Sequence, residues 1–398
     1  MNRSEEFVSD LCTKSFLSLW SYSNPRMKDS PKELCDVLVV CDPDVIIFSV
    51  KEIGLKEGGD PTVDVARWRR KAVESSIKQI YGAERHLKFM TDVVTKEGKI
   101  GVTLPLVPNR QVHRVAVALG SKGKVPVSFE DFGKGFIHVF DEVSLPNIMI
   151  ELDTITDFVT YLKDKETLYS SGIETVLNGG EEDLLALYLH NGRAFPVGRD
   201  LLVLDDSLWQ AFTNKPEYLA KKKEDEASYI WDRLIEIFCR DFLTCGLEFG
   251  NSLTNVEHVM RTMARENRFS RRVMAKTFLE FYERKGQKKV RARMAPSPSG
   301  VLYVFLALPR GEDRKYRVAE LGARCLVARG LNPEHPTVIG IATEQYEEGQ
   351  GFSLDAYYFY KEDWTAEDQQ RSEYFQREFG FFSAPRVSQA HEDEYPVC

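Results

Sequence analysis

No two of the seven cysteines are spaced as CxxC in this chain of 398 residues, which argues against a zinc ribbon or a thioredoxin-type redox site. Cys35 and Cys41 fall within an apolar run and read as small core residues. Long hydrophobic runs are missing too: none approaches the roughly 18 residues of a membrane span. The first residues do not form a charged leader followed by an apolar core, so the expectation is a reducing, cytoplasmic protein with no membrane contact. Positive charge is in short supply. Lys and Arg number 53 against 61 Asp and Glu, a net charge of −8, so any surface for nucleic acid has to be local. The remaining composition, 43% hydrophobic and 29% charged, is that of an ordinary globular protein. At roughly 150 residues per domain, the length allows two or three domains.

The most informative stretch is Glu33 to Lys51. Two apolar runs, Leu34–Cys41 and Val45–Val50, flank the turn signal Asp42-Pro43-Asp44 and predict a β-hairpin. With Asp42 and Pro43 at the tip, Asp36 lies opposite Ser49; with Pro43 and Asp44 there, it lies opposite Lys51. Side chains alternate with period two, so either register gathers Asp36, Ser49 and Lys51 on one face. Leu34–Cys41 is apolar on both faces, as expected of a strand covered on both sides. A carboxylate and an ammonium in that setting must be paired, hydrogen-bonded or bound to a cation. Two readings follow. One is a buried Asp36–Lys51 pair that stabilises the sheet; the other is a hydrolytic site in which Asp36 holds Mg²⁺ and Lys51 polarises water.

An Asp on one strand and Ser49-Val50-Lys51 at the end of the next resemble the PD-(D/E)XK, restriction-endonuclease-like nuclease superfamily. Its motif is an Asp followed, on the next strand, by an acidic-X-Lys tripeptide. The resemblance implies an α/β fold with a mixed sheet flanked by helices, and hydrolysis of phosphodiester bonds of DNA, or of RNA, with Mg²⁺ or Mn²⁺. It also suggests defence against foreign nucleic acid as a setting. Serine stands at the acidic position of the tripeptide, so a second carboxylate is sought at Glu33, Glu74, or Glu6 or Asp10. Glu33 has the opposite parity to Asp36 and reaches the site only from a strand end or bulge. The implied metal ligands are Asp36 and Glu33, with the Ser49 backbone carbonyl completing the shell and Lys51 orienting water. Family members carry a helix before the core strands and a polar residue on the helix after them. Here those are residues 5–20 and Gln79. The alternative is a catalytically degenerate nuclease-like fold that binds nucleic acid or serves as an assembly subunit.

In chain order, residues 5–20 predict an amphipathic helix ended by Asn24-Pro25. A second helix is expected from about Asp64 to Lys88, with a stripe of small residues (Ala72, Ser75, Ser76, Ala83) around Gln79 and with Trp68-Arg69-Arg70-Lys71 as a run that meets phosphate or, as is usual for one so short, forms a solvated face. Strands are expected at Ile100–Leu106, His113–Leu119, Phe136–Phe140, Ile148–Ile150 and Leu201–Leu204, with helices at 153–165 and 181–189. His113 and His138 lack a second ligand-type neighbour at metal spacing and read as core or surface histidines. These elements delimit a nuclease-like domain at 1–205.

Residues 206–295 predict a helical region. Between Arg261 and Arg293, twelve basic residues face three acidic ones. Arg261, Arg265, Arg268 and Arg272 recur at helical steps, with Arg271 beside them, and suggest a guanidinium ladder along one helix face for a phosphate backbone. The competing reading is a face salt-bridged to the acidic remainder of the chain; a protein partner or a second copy of the chain is a further candidate occupant. Arg293-Met-Ala-Pro-Ser-Pro-Ser-Gly300 reads as a linker entering a strand. Residues 296–398 predict a small α+β domain, with His391–Cys398 an acidic, disordered tail.

Overall fold

The computed structural model describes residues 2–55, 60–125, 130–244, 253–283, 291–383 and 391–396. They form two compact units, Met1–Leu219 and Ala220–Cys398.

The first unit opens with α1 (Arg3–Phe16), closed at its start by a capping box between Asn2 and Glu5. The helix stops short of residue 20, because Leu17 leaves helical geometry at φ 69° and Ser21–Ser23 enters the sheet as β1. β2 (Val37–Cys41) and β3 (Asp44–Glu52) form the expected hairpin, with Cys41 facing Asp44 and Val37 facing Phe48. Asp42 and Pro43 are therefore the tip, and Asp36 lies opposite Ser49. Asp60 caps the next helix by accepting from Thr62 N, with Pro61 as its first residue. That helix passes from α2 (Pro61–Trp68) through six π-helical residues, Arg69–Glu74, into α3 (Ser75–Leu87). A two-stranded hairpin follows, β4 (Asp92–Val94) with β5 (Ile100–Thr103). β6 (Gln111–Leu119) then returns parallel to β3, β8 (Phe136–Phe140) lies parallel to β6, and β7 (Glu130–Asp131) edges the sheet. The order is β1-β2-β3-β6-β8-β7, a mixed sheet.

Helices cover both faces of β3. On one side α1 and α5 (Ile155–Ser170) bring Phe16 and Phe48 to Phe158, at ring-centroid distances of 5.3 and 6.4 Å. On the other, α3 presents Gln79 to Ser49. The α5 side also carries two carboxylate–histidine pairs, the first wholly buried and the second with its carboxylate partly exposed. His113 meets Asp44 at 2.8 Å, with Lys163 3.3 Å from the same carboxylate, and His138 meets Glu166 at 3.0 Å. Both histidines belong to the core. Ile148–Ile150 is not a strand but part of α4 (Ser144–Glu151). The Asp141 carboxylate accepts from Val143 N and Ser144 N at the helix start, and Leu145, Ile148 and Met149 are buried at helical spacing. Beyond α5 come β9 (Glu174–Leu177), α6 (Glu181–His190), β10 (Leu201–Leu204), parallel to β9, and α7 (Leu208–Thr213). α8 (Pro216–Asp225) spans the division between the units.

In the second unit, α9 (Tyr229–Leu243), α10 (Leu253–Ala264) and α11 (Arg268–Tyr282) precede a four-stranded sheet. Its order is β11-β12-β13-β14, comprising Ala292–Pro296, Leu302–Leu308, Thr337–Glu344 and Leu354–Tyr360. α12 (Arg314–Leu331) links the parallel strands β12 and β13, and α13 (Ala366–Phe379) follows β14. β12 alternates cleanly: Leu302, Val304, Leu306 and Leu308 pack with Leu321 and Cys325 of α12. Tyr303 and Phe305 face the opposite way, toward Trp231 and Phe278, at ring-centroid distances of 5.1 and 5.3 Å. The helices after residue 229 thus share a core with this sheet. Residues 297–300 turn between β11 and β12 rather than serving as a linker. Ser297 N donates to Val301 O, and Gly300 takes φ 89°.

Candidate active site

Three of the residues read from the hairpin come together with the helix glutamine. β2 begins only at Val37, so Asp36 sits just before the ladder and its carboxylate takes over part of it. Its Oδ2 accepts from Val50 N at 2.6 Å, and Gln79 Nε2 donates to Oδ1 at 3.4 Å. Ser49 Oγ donates to Gln79 Oε1 at 3.0 Å. Lys51 Nζ lies 3.8 Å from Asp36 Oδ2. Asp36 and Ser49 are buried, whereas the Lys51 side chain keeps 32% of its exposure. The small residues of the helix explain how Gln79 reaches the sheet: Ala72, Ser76 and Ala83 are buried against it, so the helix axis lies close to β3 and β6. Ser75 of the expected stripe is exposed, because the π-helical turn before it rotates the face.

Glu33 is the acid that joins this cluster. Its carboxyl, on an exposed residue, faces the Asp36 carboxylate, with the Asn24 side chain beside it. Burial of that edge and the facing Asp36 carboxylate push its pKa up, while Asn24 pulls the other way. Glu33 escapes the parity of the strand because residues 33–36 are irregular; it pairs only with Arg26, in an isolated bridge. Glu6, Asp10 and Glu74 are exposed and make no bond to the cluster among the described residues.

Sequence reasoning missed Asn24. It is 7% exposed, adopts φ 45°, and anchors the site through Asn24 N to Asp36 O at 2.9 Å. Its side-chain Oδ1 is buried with no hydrogen-bond partner. An Asn directly before Pro reads as a helix terminator, so local pattern gave no signal of this role.

Two carboxyl groups in contact beside an orphaned amide oxygen form a hard-oxygen set of the kind Mg²⁺ and Mn²⁺ accept. On this observation the residues fit a divalent cation. Among the described residues, no cluster of three or more His, Cys, Asp or Glu is arranged to hold a metal, so the set depends on Asn24 or on backbone oxygen for its third protein ligand.

The arginine ladder does not form. α10 ends at Ala264 and α11 starts at Arg268 behind the Asn267 cap, so Arg261 lies on one helix, Arg265 in the turn, and Arg268, Arg271 and Arg272 on the next helix. Arg268 and Arg271 are buried on Asp232, at 2.8 and 2.6 Å, and Arg272 is buried on Asp225 at 3.1 Å. Arg261 pairs with Glu257 at 3.3 Å, and Arg265 is half-buried. Arginines committed to buried carboxylates are not presented to a phosphate backbone. Arg284, Lys285, Lys288 and Lys289 of the basic run lie outside the described residues. Glu266, isolated among these bases, receives Ser297 Oγ, Ser299 Oγ and Tyr303 OH, which ties the β11–β12 turn to the end of α10.

No model of a known protein family, no curated protein and no solved structure matches the chain. Among the described residues, no helix is long and apolar enough to cross a membrane.

Proposed function

We propose that the first unit is a PD-(D/E)XK-like phosphodiesterase domain acting on nucleic acid with Mg²⁺ or Mn²⁺. The observation that carries this reading is the cluster of Asp36, Glu33, Lys51 and Gln79 at the end of the hairpin. The order of elements supports it: a helix, Asp36 directly before one hairpin strand, Lys51 near the end of the other, then a helix bearing Gln79. Glu33 supplies from the preceding segment the carboxylate that Ser49 lacks, and Asn24 Oδ1 adds a neutral oxygen. The cation, when bound there, supplies Lewis acidity to the phosphate and lowers the pKa of water. Lys51 spends little of its ammonium on Asp36 at 3.8 Å, so its remaining donors can hold a water or the charge developing on phosphate. Gln79 and Val50 N fix the Asp36 carboxylate, so no reorganisation is needed as the substrate enters.

Asp36→Asn retains an acceptor for Val50 N and removes the charge, and Lys51→Met retains the aliphatic stem. Each should abolish Mn²⁺-dependent cleavage of a DNA or RNA oligonucleotide without lowering the melting temperature by more than a few degrees. Cleavage that survives either substitution, or that persists in EDTA, refutes the assignment.

A second reading has its own observation. Asp36 is bonded to its own sheet and Ser49 occupies the acidic position, as in a nuclease-like fold that binds without cutting. Oligonucleotide binding by the wild type with no cleavage under any divalent cation selects it.

A further inference from the structure

The chain's acidic end is not a loose tail in the described residues. His391–Pro396 lies along α11 on a cationic groove. Arg272 Nη2 donates to Asp393 O at 2.6 Å and to Glu394 O at 3.2 Å, while Nη1 donates to Glu394 O at 3.3 Å. The Glu392 carboxylate stands 3.5 Å from Arg272 Nε and 3.1 Å from Lys276 Nζ. Lys221 lies 5.9 Å from the centre of the Tyr395 ring. Asp225 and Glu224 of α8 close the groove from the side, Asp225 at 2.8 Å from Lys221 and Glu224 at 2.5 Å from Lys276. The groove thus reads an extended peptide by two successive backbone carbonyls and one carboxylate.

We propose that this groove is a binding site for an acidic peptide segment, and that His391–Pro396 occupies it in cis as a displaceable strap. Charge decides the class of ligand. Three cations, Arg272, Lys276 and Lys221, face two carboxylates already in place, Asp225 and Glu224. One positive charge is left, which the single Glu392 carboxylate neutralises. A phosphate backbone would bring several charges into contact with Asp225 and Glu224, and it lacks the neutral carbonyls that the Arg272 fork now accepts as partners. An acidic peptide that brings one carboxylate onto the cations and its backbone carbonyls onto Arg272 meets both requirements. Because the strap is tethered, it competes at high local concentration with any segment offered in trans. Docking a partner's acidic segment and releasing the chain's own end are therefore the same event. This inference is independent of the chemistry proposed for the first unit.

The test uses the full chain and a fluorescein-labelled peptide of the sequence His391–Pro396, followed by fluorescence polarisation. Glu392→Lys sets an ammonium against Lys276 and Arg272 and should free the groove, so the variant should bind the peptide at least tenfold more tightly than wild type. Adding Lys276→Glu to that variant sets a carboxylate against the introduced ammonium, lets the strap close again and should remove the gain. Circular dichroism matching wild type certifies the fold of each variant. Equal binding by wild type and Glu392→Lys overturns the proposal. So does an oligothymidylate of six nucleotides that binds the variant more tightly than the peptide does.

Discussion

His138 gives a prediction whose size follows from its surroundings. The imidazole is wholly buried on β8, between Phe136 and Phe140 at ring-centroid distances of 4.9 and 6.5 Å. Burial holds its pKa down at about 4, against an ordinary 6.5, with Lys165 and His113 adding to the depression and Glu166 opposing it. The ring is neutral in the folded chain at pH 7, with Nε2 3.0 Å from the Glu166 carboxylate. Between pH 6.5 and 4 the unfolded chain binds a proton that the folded chain refuses, so stability falls as pH falls through that window. At about 1.36 kcal/mol per pKa unit, the full effect is about 3 kcal/mol, of which roughly 2.5 kcal/mol has appeared by pH 4.5. His138→Phe fits the aromatic slot and has no proton to bind. At pH 7.5 the variant should be less stable than wild type by about 1.5 to 2 kcal/mol, the lower end for a hydrogen bond to a charged acceptor, because the Glu166 carboxylate is 34% exposed and can turn to water. By pH 4.5 the difference should have moved by roughly 2 to 3 kcal/mol in the variant's favour and reversed sign. Urea unfolding of both proteins at the two pH values measures this; Glu166, whose pKa the His138 hydrogen bond holds down, loses that depression in the variant and shifts the difference the same way, while groups away from the pair largely cancel. A difference that stays constant between pH 7.5 and pH 4.5 refutes the argument.

Further expectations concern the two units separately. Ser49→Glu places a carboxylate beside Asp36 and should tighten Mn²⁺ binding about tenfold by calorimetry; unchanged binding would mean that Glu33 already fills the role. Asn24→Ala should weaken Mn²⁺ binding by a similar factor if its orphaned oxygen is a ligand, and leave it unaltered if the amide only braces Glu33. Asp232→Ala strands two buried guanidinium groups and should cost about 3 to 5 kcal/mol in urea unfolding. Replacing Arg268 and Arg272 by Glu should unfold the second unit, seen as lost helical dichroism, rather than alter the salt dependence of nucleic-acid binding in a folded protein.

The hairpin was legible because its signals agree. The Asp-Pro-Asp turn signal and the β-branched residues on either side specify a hairpin, and both registers that the turn allows gather Asp36, Ser49 and Lys51 on one face. Gln79 was legible from the small residues around it, which betray close approach of helix and sheet. Asn24 and Glu33 belong to an irregular segment with no period, and their positions depend on loop closure that no local pattern encodes. The arginines show the opposite difficulty. Their helical spacing is visible in the sequence, but Asp225 and Asp232, which neutralise them, lie on other helices, and a local count of charge does not see partners brought in by folding. Ile148–Ile150 was ambiguous for a simpler reason, since three apolar residues fit either period.

The two faces of β3 give the turn at Asp42-Pro43 a significance beyond connection. Phe48 belongs to the aromatic core under α5, while its neighbours Ser49 and Lys51 belong to the candidate site under α3. One residue more or fewer between Cys41 and Asp44 would shift the strand by a single step and exchange these faces. Lys51 would then be driven among phenylalanines, and Phe48 would be turned toward Gln79. The tip therefore acts as a length gauge for the whole unit. Insertions and deletions should be tolerated far less there than substitutions, and a chain that breaks the gauge should lose its core and the cluster around Asp36 in the same step.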